Sequence, residues 1–408
     1  MRTYRELFGV SEFGALFSSV SLRYAGTTVQ GIALGTLVYL RTGSPLLSAL
    51  SMFGPSAAQV LAAATLLSIA DRVRPRAALT GMGLAFAATA TALAVPGVPV
   101  AGLLGIVFVS GLISAFGGGV QWGLLNEIVP SDGYVLARSL FTMANGVMQM
   151  AGFGLGGLLV AATSPRATLL IAAALHAGSA LLARLGLRDR AARVSERASV
   201  RATWLGNRLL WGDPRRRCRY LAMWVPNGLI VGCEALFIPY STRWSGVLLA
   251  ASALGMLGGD VLVGRLLTAR RRQPLTEPLR LLLAAPYLLF FVALPAGVAV
   301  TLVLIASIGY AATLLLQEQL LAITPPQLSG HALGLHSAGM LTMQAVGAAV
   351  AGTLASQLSA GAAIGCLATA SIVVTLALRP GLRLRPAAGA SITARATMAE
   401  TADACSRS

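Results

Sequence analysis

Lysine is missing from this chain. All 31 of its cationic side chains are arginine, against 14 aspartates and glutamates, so the formal net charge is +17 over 408 residues. Charge of either sign is scarce, at 11% of residues, where a water-soluble domain carries about 25%. That scarcity excludes a soluble globular body. With 56% hydrophobic residues and a mean hydropathy of +0.75, too little polar surface remains to cover such a core in water. Cysteine is scarce too: Cys218, Cys233, Cys366 and Cys405 are scattered, which supports neither a disulfide framework nor a zinc site. No Gly-Lys-Ser/Thr phosphate loop, His-Glu-x-x-His or Cys-x-x-Cys occurs, and the glycine-rich "FGGGVQ" at 116–121 lies in an apolar run rather than after a strand. ATP drive, metal chemistry and an enzyme activity are therefore not indicated, and no cofactor is expected.

Long apolar runs are what the sequence has instead. A bilayer core needs about 20 apolar residues per helix. Twelve spans meet that need, at about 13–40, 46–70, 77–95, 101–127, 136–162 and 167–185, then 220–241, 245–267, 279–294, 297–321, 332–356 and 360–378. Between them fall turn-forming stretches such as "RTGSP" at 41–45 and "PPQLSG" at 325–330. The first run is longer than the roughly 7–15 residues of a signal-peptide core, so it reads as the first span. With the N-terminus placed in the cytoplasm, only Arg41, Arg166 and Arg243 fall in external loops and Arg23 within a span. The other 27 arginines are cytoplasmic, as the positive-inside rule requires. The basic balance thus reads as orientation in a lipid bilayer, and no nucleic-acid partner is implied. The expected protein is an all-α, multi-pass protein of a bacterial inner membrane, monomeric, with both termini cytoplasmic.

Four segments follow: an N-terminal six-helix bundle (1–186), a cytoplasmic linker (187–219), a C-terminal six-helix bundle (220–380) and a disordered tail (381–408). The linker holds ten arginines and the stretch "ASVRATWLGNRLLWGDP". Val200, Trp204 and Trp211 can share one helical face with Arg201 and Arg208 elsewhere. That pattern predicts an interfacial amphipathic helix ended by Gly212 and Pro214.

The two bundles are related in sequence. A gapless shift of 195 positions aligns 128–157 with 323–352 and matches eight of thirty residues. Among the matches are Pro130 with Pro325, Met148-Gln149 with Met343-Gln344, Gly152 with Gly347 and Gly157 with Gly352. The shift spans six helices, an even number, so the halves are parallel repeats related by an axis along the membrane normal. In such transporters the substrate site lies between the repeats near the midplane.

At the cytoplasmic end of the second span stands "ADRVRPR", residues 70–76. It resembles the signature loop of the major facilitator superfamily, roughly G-x-x-x-D-R-x-G-R-R. Asp71 and Arg72 match its Asp-Arg pair and Arg76 its last basic position; Leu67, Arg74 and Pro75 depart from it. "GRLLTARRRQPL" from Gly264 repeats the loop in the second half, with Arg265 after the glycine and Thr268 in place of the aspartate. "GFGLGG" at 152–157 resembles the antiporter motif G-P-x-x-G-G with Phe153 in place of proline, and "LRYAGTTVQGIALGTLVYLRTGSPL" from Leu22 resembles the drug-efflux-like branch. The resemblance implies twelve transmembrane helices in two six-helix repeats. It also implies a cytoplasmic gate at Asp71, Arg72, Arg76, Gly264 and Arg265, and helices 1, 4, 7 and 10 around the cavity. Gly152, Gly156, Gly157, Gly347 and Gly352 have no side chains to hold helices apart; they serve static packing or a sliding contact between bundles.

An ionisable residue inside a span is by default a functional hypothesis. Arg23 lies in span 1, Glu234 in span 7 and Asp260 in span 8. Glu234 is the first choice for a proton-coupling carboxylate. Asp260 either joins it or braces the nearby loop, and Arg23 either neutralises a carboxylate or attracts an anion. At about 1.5 Å rise per residue, Arg23 sits roughly 13 Å deeper than Glu234, which argues against a direct pair. Asn227, Gln121 and Gln317 are candidate cavity residues by the same resemblance. The function expected is proton-coupled efflux of a small, partly hydrophobic molecule by alternating access, driven by a proton gradient. Import of a polar solute on the same fold, or a non-transporting membrane scaffold or sensor, stays open at this point.

Overall fold

The computed structural model describes residues 4–70, 73–130, 133–191, 200–267, 269–325 and 328–382. A short helix α1 (Tyr4–Phe8) precedes six long ones: α2 (Phe13–Thr42), α3 (Pro45–Ala70), α4 (Pro75–Ala94), α5 (Val100–Ile128), α6 (Tyr134–Ala162) and α7 (Pro165–Gly186). The linker helix α8 (Val200–Gly212) leads into the second bundle. There α9 (Pro214–Ala235) with α10 (Phe237–Tyr240), and α11 (Ser245–Val261), form spans 7 and 8. After α12 (Ala269–Arg272) come α13 (Thr276–Leu282), α14 (Ala296–Ile308), α15 (Ala312–Ala322), α16 (Ser329–Ala355), α17 (Ala360–Ala377) and the short α18 (Arg379–Leu382). Among the described residues, nine helices are long and apolar enough to cross a membrane. Helices α2 and α3 and an interrupted ninth span complete twelve crossings.

Local chemistry fixes the helix ends. Prolines 45, 75, 165 and 214 each open a helix, where a missing N–H costs nothing. Gly43, at φ 63°, closes α2 in the left-handed conformation that suits glycine, and its N–H donates to Tyr39 O. Two boundaries differ from expectation. Span 7 begins at Pro214 rather than 220, because the Asp213 side chain accepts from the Arg215 N–H and caps the helix. Arg215, Arg216, Arg217 and Arg219 therefore belong to a helix and not to a linker. Span 9 is not continuous: α13 stops at Leu282 and a 3-10 stretch runs over Ala285–Phe291. Pro286 explains the break, since it lacks an N–H and its ring crowds the carbonyl of Leu282.

The linker helix also needs one correction. Arg208 is not on a separate face, for its guanidinium lies 5.8 Å from the Trp204 ring centroid. The four-residue spacing stacks the two side chains one above the other. Trp204 remains 62% exposed, while Trp211 stacks on Trp224 of α9 and His331 of α16 pairs with Asn207.

Helices α2–α7 form one bundle and α9–α17 the other, and they meet along two seams, α6 with α11 and α3 with α16. The shift of 195 residues carries α6 onto α16, so the seams are related by the repeat. Small residues make both. A Cβ on Gly157 would lie 2.6 Å from the Cα of Gly246, and a Cβ on Gly352 would strike the Cα of Leu46. Both contacts sit at the end of the molecule bearing the loops at 43–44 and 241–244, called here the far end. The opposite end carries the linker. There the seam α6–α11 opens into a cavity of about 440 Å³ between Met143, Asn145 and Gln149 on one side and Leu257, Asp260 and Gly264 on the other. Gly152 and Gly156 pack inside the first bundle, on Thr28 and Ile32 of α2, and Gly347 packs inside the second, against Gly228 of α9. Of the five glycines, Gly157 and Gly352 thus join the bundles, and the other three join helices within a bundle.

Candidate functional site: a carboxylate-bearing cavity between the bundles

Glycine spacing brings the site together. Gly255 and Gly259 of α11 stand four apart and face the backbone of α14: a Cβ on Gly259 would lie 2.5 Å from Ile308 O, and one on Gly255 would strike Leu304 O. Without side chains they let spans 8 and 10 touch, which sets Ser252 Oγ 3.0 Å from Ser307 Oγ. On span 7, Gly228 and Gly232 do the same against α16. Span 7 then breaks after Ala235, because Pro239 lacks the N–H that would reach Ala235 O. Glu234 sits in the last turn before that break.

Glu234 is 9% exposed, and among the described residues its carboxylate is held by hydroxyls. Ser252 Oγ donates to Oε1 at 2.5 Å and Tyr310 Oη donates to the same oxygen at 3.1 Å. Ser307 in turn donates to Ser252, so a line of hydroxyls from span 10 ends on the carboxylate. Ile230, Leu236, Phe237 and Tyr287 form the apolar core around it. Among the described residues Glu234 has no basic partner. A buried carboxylate without a counter-ion is costly unless it takes up a proton or a cation, and both hydrogen bonds fall on Oε1, which leaves Oε2 for either.

A cavity of about 380 Å³ opens beside it. Span 2 contributes Phe53 and span 5 Gln149 and Phe153; spans 7, 8, 10 and 11 supply the rest, including Asn227, Glu234, Met256, Asp260, Gln317 and Gln344. Among the described lining side chains two are acidic and none is basic. Asp260 is exposed to the cavity and stands at the start of a π-helical turn, Leu262–Leu266, an irregularity frequent at functional sites. Gln317 bonds to His336 of span 11 at 2.9 Å.

Four of the six residues singled out for the cavity, Glu234, Asp260, Asn227 and Gln317, are therefore together. The other two are elsewhere. Arg23 donates from Nη2 to Gln121 Oε1 at 2.7 Å, joining spans 1 and 4 within the first bundle. This bond supplies the guanidinium with a neutral partner, and neither residue reaches the cavity. At the gate, Asp71 and Arg72 lie outside the described residues, as does the side chain of Arg265. Arg76 is half-buried at the start of α4, and Gly264 lies within the π turn. The neighbouring Arg74 pairs with Asp189 at 2.9 Å. Two cavity residues escaped the sequence reading although a signal existed: Gln149 and Gln344 are the matched glutamines of the repeat, one on each side of the cavity. Ser252, Ser307 and Tyr310 had no such signal, because they gather at Glu234 of span 7 from spans 8 and 10.

Comparison with known proteins agrees with this fold. A POT family transporter crystallised with a thioalcohol-conjugated peptide superposes with a TM-score of 0.73 at 12% identity, over 91% of this chain and 96% of that one. A bacterial homologue of the human lysosomal transporter Spinster, inward-facing and occupied, gives 0.70 at 14% identity over 91% and 98%. The nucleoside transporter NupG gives 0.71 at 12% identity over 91% and 100%. No curated protein matches in sequence. The family model of the Major Facilitator Superfamily matches residues 16–322. That match spans most of the chain, and twelve crossings in two repeated bundles accord with it: the chain belongs to the Major Facilitator Superfamily.

Proposed function

We propose that the protein exports a small, partly hydrophobic cation from the bacterial cytoplasm across the inner membrane in exchange for protons. One observation carries the reading: the cavity between the bundles presents Glu234 and Asp260 with no basic side chain among the described residues of its lining. Phe53, Phe153 and Met256 offer apolar and aromatic contact beside that negative charge, the setting that attracts an organic cation. A cation and a proton then compete for the same carboxylate oxygen. Mutually exclusive occupancy favours exchange over co-transport.

The arginine distribution supports cytoplasmic termini. On that orientation the far end is external, its glycine seams are the closed external gate, and the conformation is inward-facing. Rocking about the cavity would close the linker end, where Arg76 lies, and part Gly157 from Gly246.

Import of a polar solute is favoured by one feature, the four amides of Gln149, Asn227, Gln317 and Gln344 in the lining. Inverted vesicles with an acid interior separate the two readings. With the membrane potential clamped by valinomycin and potassium, tetraphenylphosphonium should accumulate in vesicles carrying the protein. Accumulation should vanish in Glu234→Gln, with membrane insertion unchanged. Protein-containing vesicles that accumulate no more than empty ones, or a Glu234→Gln variant that keeps the pH-gradient dependence, would overturn the proposal.

A further inference from the structure

Another cavity lies away from the site between the bundles. About 300 Å³ in volume, it sits at the linker end of the second bundle and is lined by Thr276, Glu277, Arg280, Gln319, Arg379 and Leu382 among others. Arg280, on α13, is only 2% exposed, and its Nε and Nη2 have no hydrogen-bond partner. Among the described residues it makes no ion pair. Glu277, one turn earlier, is engaged by Arg379 at 2.5 Å. Gln319 donates to Thr276 at 3.4 Å across the same space.

A guanidinium withdrawn from water with donors unused is costly and calls for an anion. Arg280 brings a planar fork of donors suited to the oxygens of a phosphate. Arg379 is a second cation on the rim, 46% exposed at its side chain. Gln319 adds an amide. The volume exceeds that of a bare phosphate and leaves room for the glycerol of a lipid headgroup. The cavity stands at the ends of α13, α15 and α18, the depth at which headgroups lie if these helices cross the bilayer.

We propose that the Arg280 cavity binds a phosphate-bearing anion, with the headgroup of an anionic phospholipid as the source its position favours. Arg280 is the buried anchor, Arg379 the rim cation and Gln319 the hydrogen-bonding wall. The site is independent of the Glu234 cavity, so its occupancy does not depend on the transport reading.

The test uses the full chain, purified and titrated separately with phosphatidylglycerol in phosphatidylcholine nanodiscs and with inorganic phosphate in detergent. Native mass spectrometry counts retained lipids, and thermal unfolding reports stabilisation. Wild type should keep one phosphatidylglycerol more tightly than the rest. Arg280→Gln should lose that one adduct, with affinity reduced about tenfold or more, whereas Arg217→Gln, an exposed arginine at the same end, should keep it. Should Arg280→Gln fail to fold, Arg379→Gln at the rim should weaken the same adduct severalfold. Stabilisation by phosphatidylglycerol alone assigns the site to lipid; stabilisation by inorganic phosphate as well assigns it to the phosphate group itself. No retained lipid and no effect of phosphate on wild type, or equal adducts in wild type and both cavity variants, would overturn the proposal.

Discussion

Consider a single methyl group placed at the far-end seam, in Gly157→Ala. Its Cβ would lie 2.6 Å from the Cα of Gly246, short of ordinary contact at 3.4–4 Å by about 0.8–1.4 Å. The opposing atom is backbone on α11, which cannot rotate aside as a side chain would, so relief requires the helices to part. Overpacking of this kind costs about 1–3 kcal/mol. If the bundles rock, the cost falls only on the conformation in which the seam is shut. The equilibrium should then shift about fivefold to 150-fold toward the conformation open at the far end. Spin labels on Thr163→Cys and Ser359→Cys, in far-end loops of opposite bundles, measure that population by pulsed electron resonance after the native cysteines are replaced. The long-distance fraction should grow in Gly157→Ala. It should not grow in Gly81→Ala, where an added Cβ meets nothing within 4 Å. An unchanged distance distribution in Gly157→Ala, with the protein folded, would refute the moving seam and leave Gly157 a static packing residue.

Other outcomes follow from the same structure. Gly259→Ala should push span 8 off span 10, break the Ser252–Ser307 contact and cost about 1–3 kcal/mol in thermal unfolding, with transport lost in the same variant. At the linker end, Glu12 accepts Arg190 at 2.7 and 2.8 Å and the Arg188 N–H at 2.9 Å. Burial pushes the Glu12 carboxyl up, but those bonds and the two arginine charges outweigh it and hold it below 4.5. A depressed folded value stabilises the protein above the unfolded one, and that stability is lost as pH falls through the lowered value. Wild type should therefore exceed Glu12→Gln by about 1–2 kcal/mol at neutral pH, and the gap should close once acid protonates Glu12. Asp71→Asn should change thiol labelling from each side of the membrane; unchanged labelling would leave orientation as the loop's sole task.

Hydrophobic runs made the spans legible, because a helix that crosses lipid must be apolar along its length. The interruptions were harder to see. Pro286 and Pro239 both stand within apolar runs, and only the structure shows that one divides span 9 and the other ends α9 just past Glu234. The internal repeat pointed further than composition did, pairing Gly157 with Gly352 and Gln149 with Gln344 before any contact was known. It does not say which glycines face the other bundle, since that depends on helix rotation. Arg23 and Gln121 show the limit of a family resemblance. Each stands on a helix expected to line the cavity, yet Arg23 donates to Gln121 inside the first bundle, and the cavity lies toward the second. No sequence spacing ties the hydroxyls to Glu234, for Ser252 and Tyr310 reach it from spans 8 and 10, which Gly255 and Gly259 bring together.

Proton release on cation binding tests the exchange most directly. Purified protein in weakly buffered detergent solution, titrated with tetraphenylphosphonium and followed by a pH indicator, should release about one proton per cation bound, and Glu234→Gln should bind with no release. Saturable binding to wild type without any release of protons would contradict the account, because cation and proton would then not share a carboxylate.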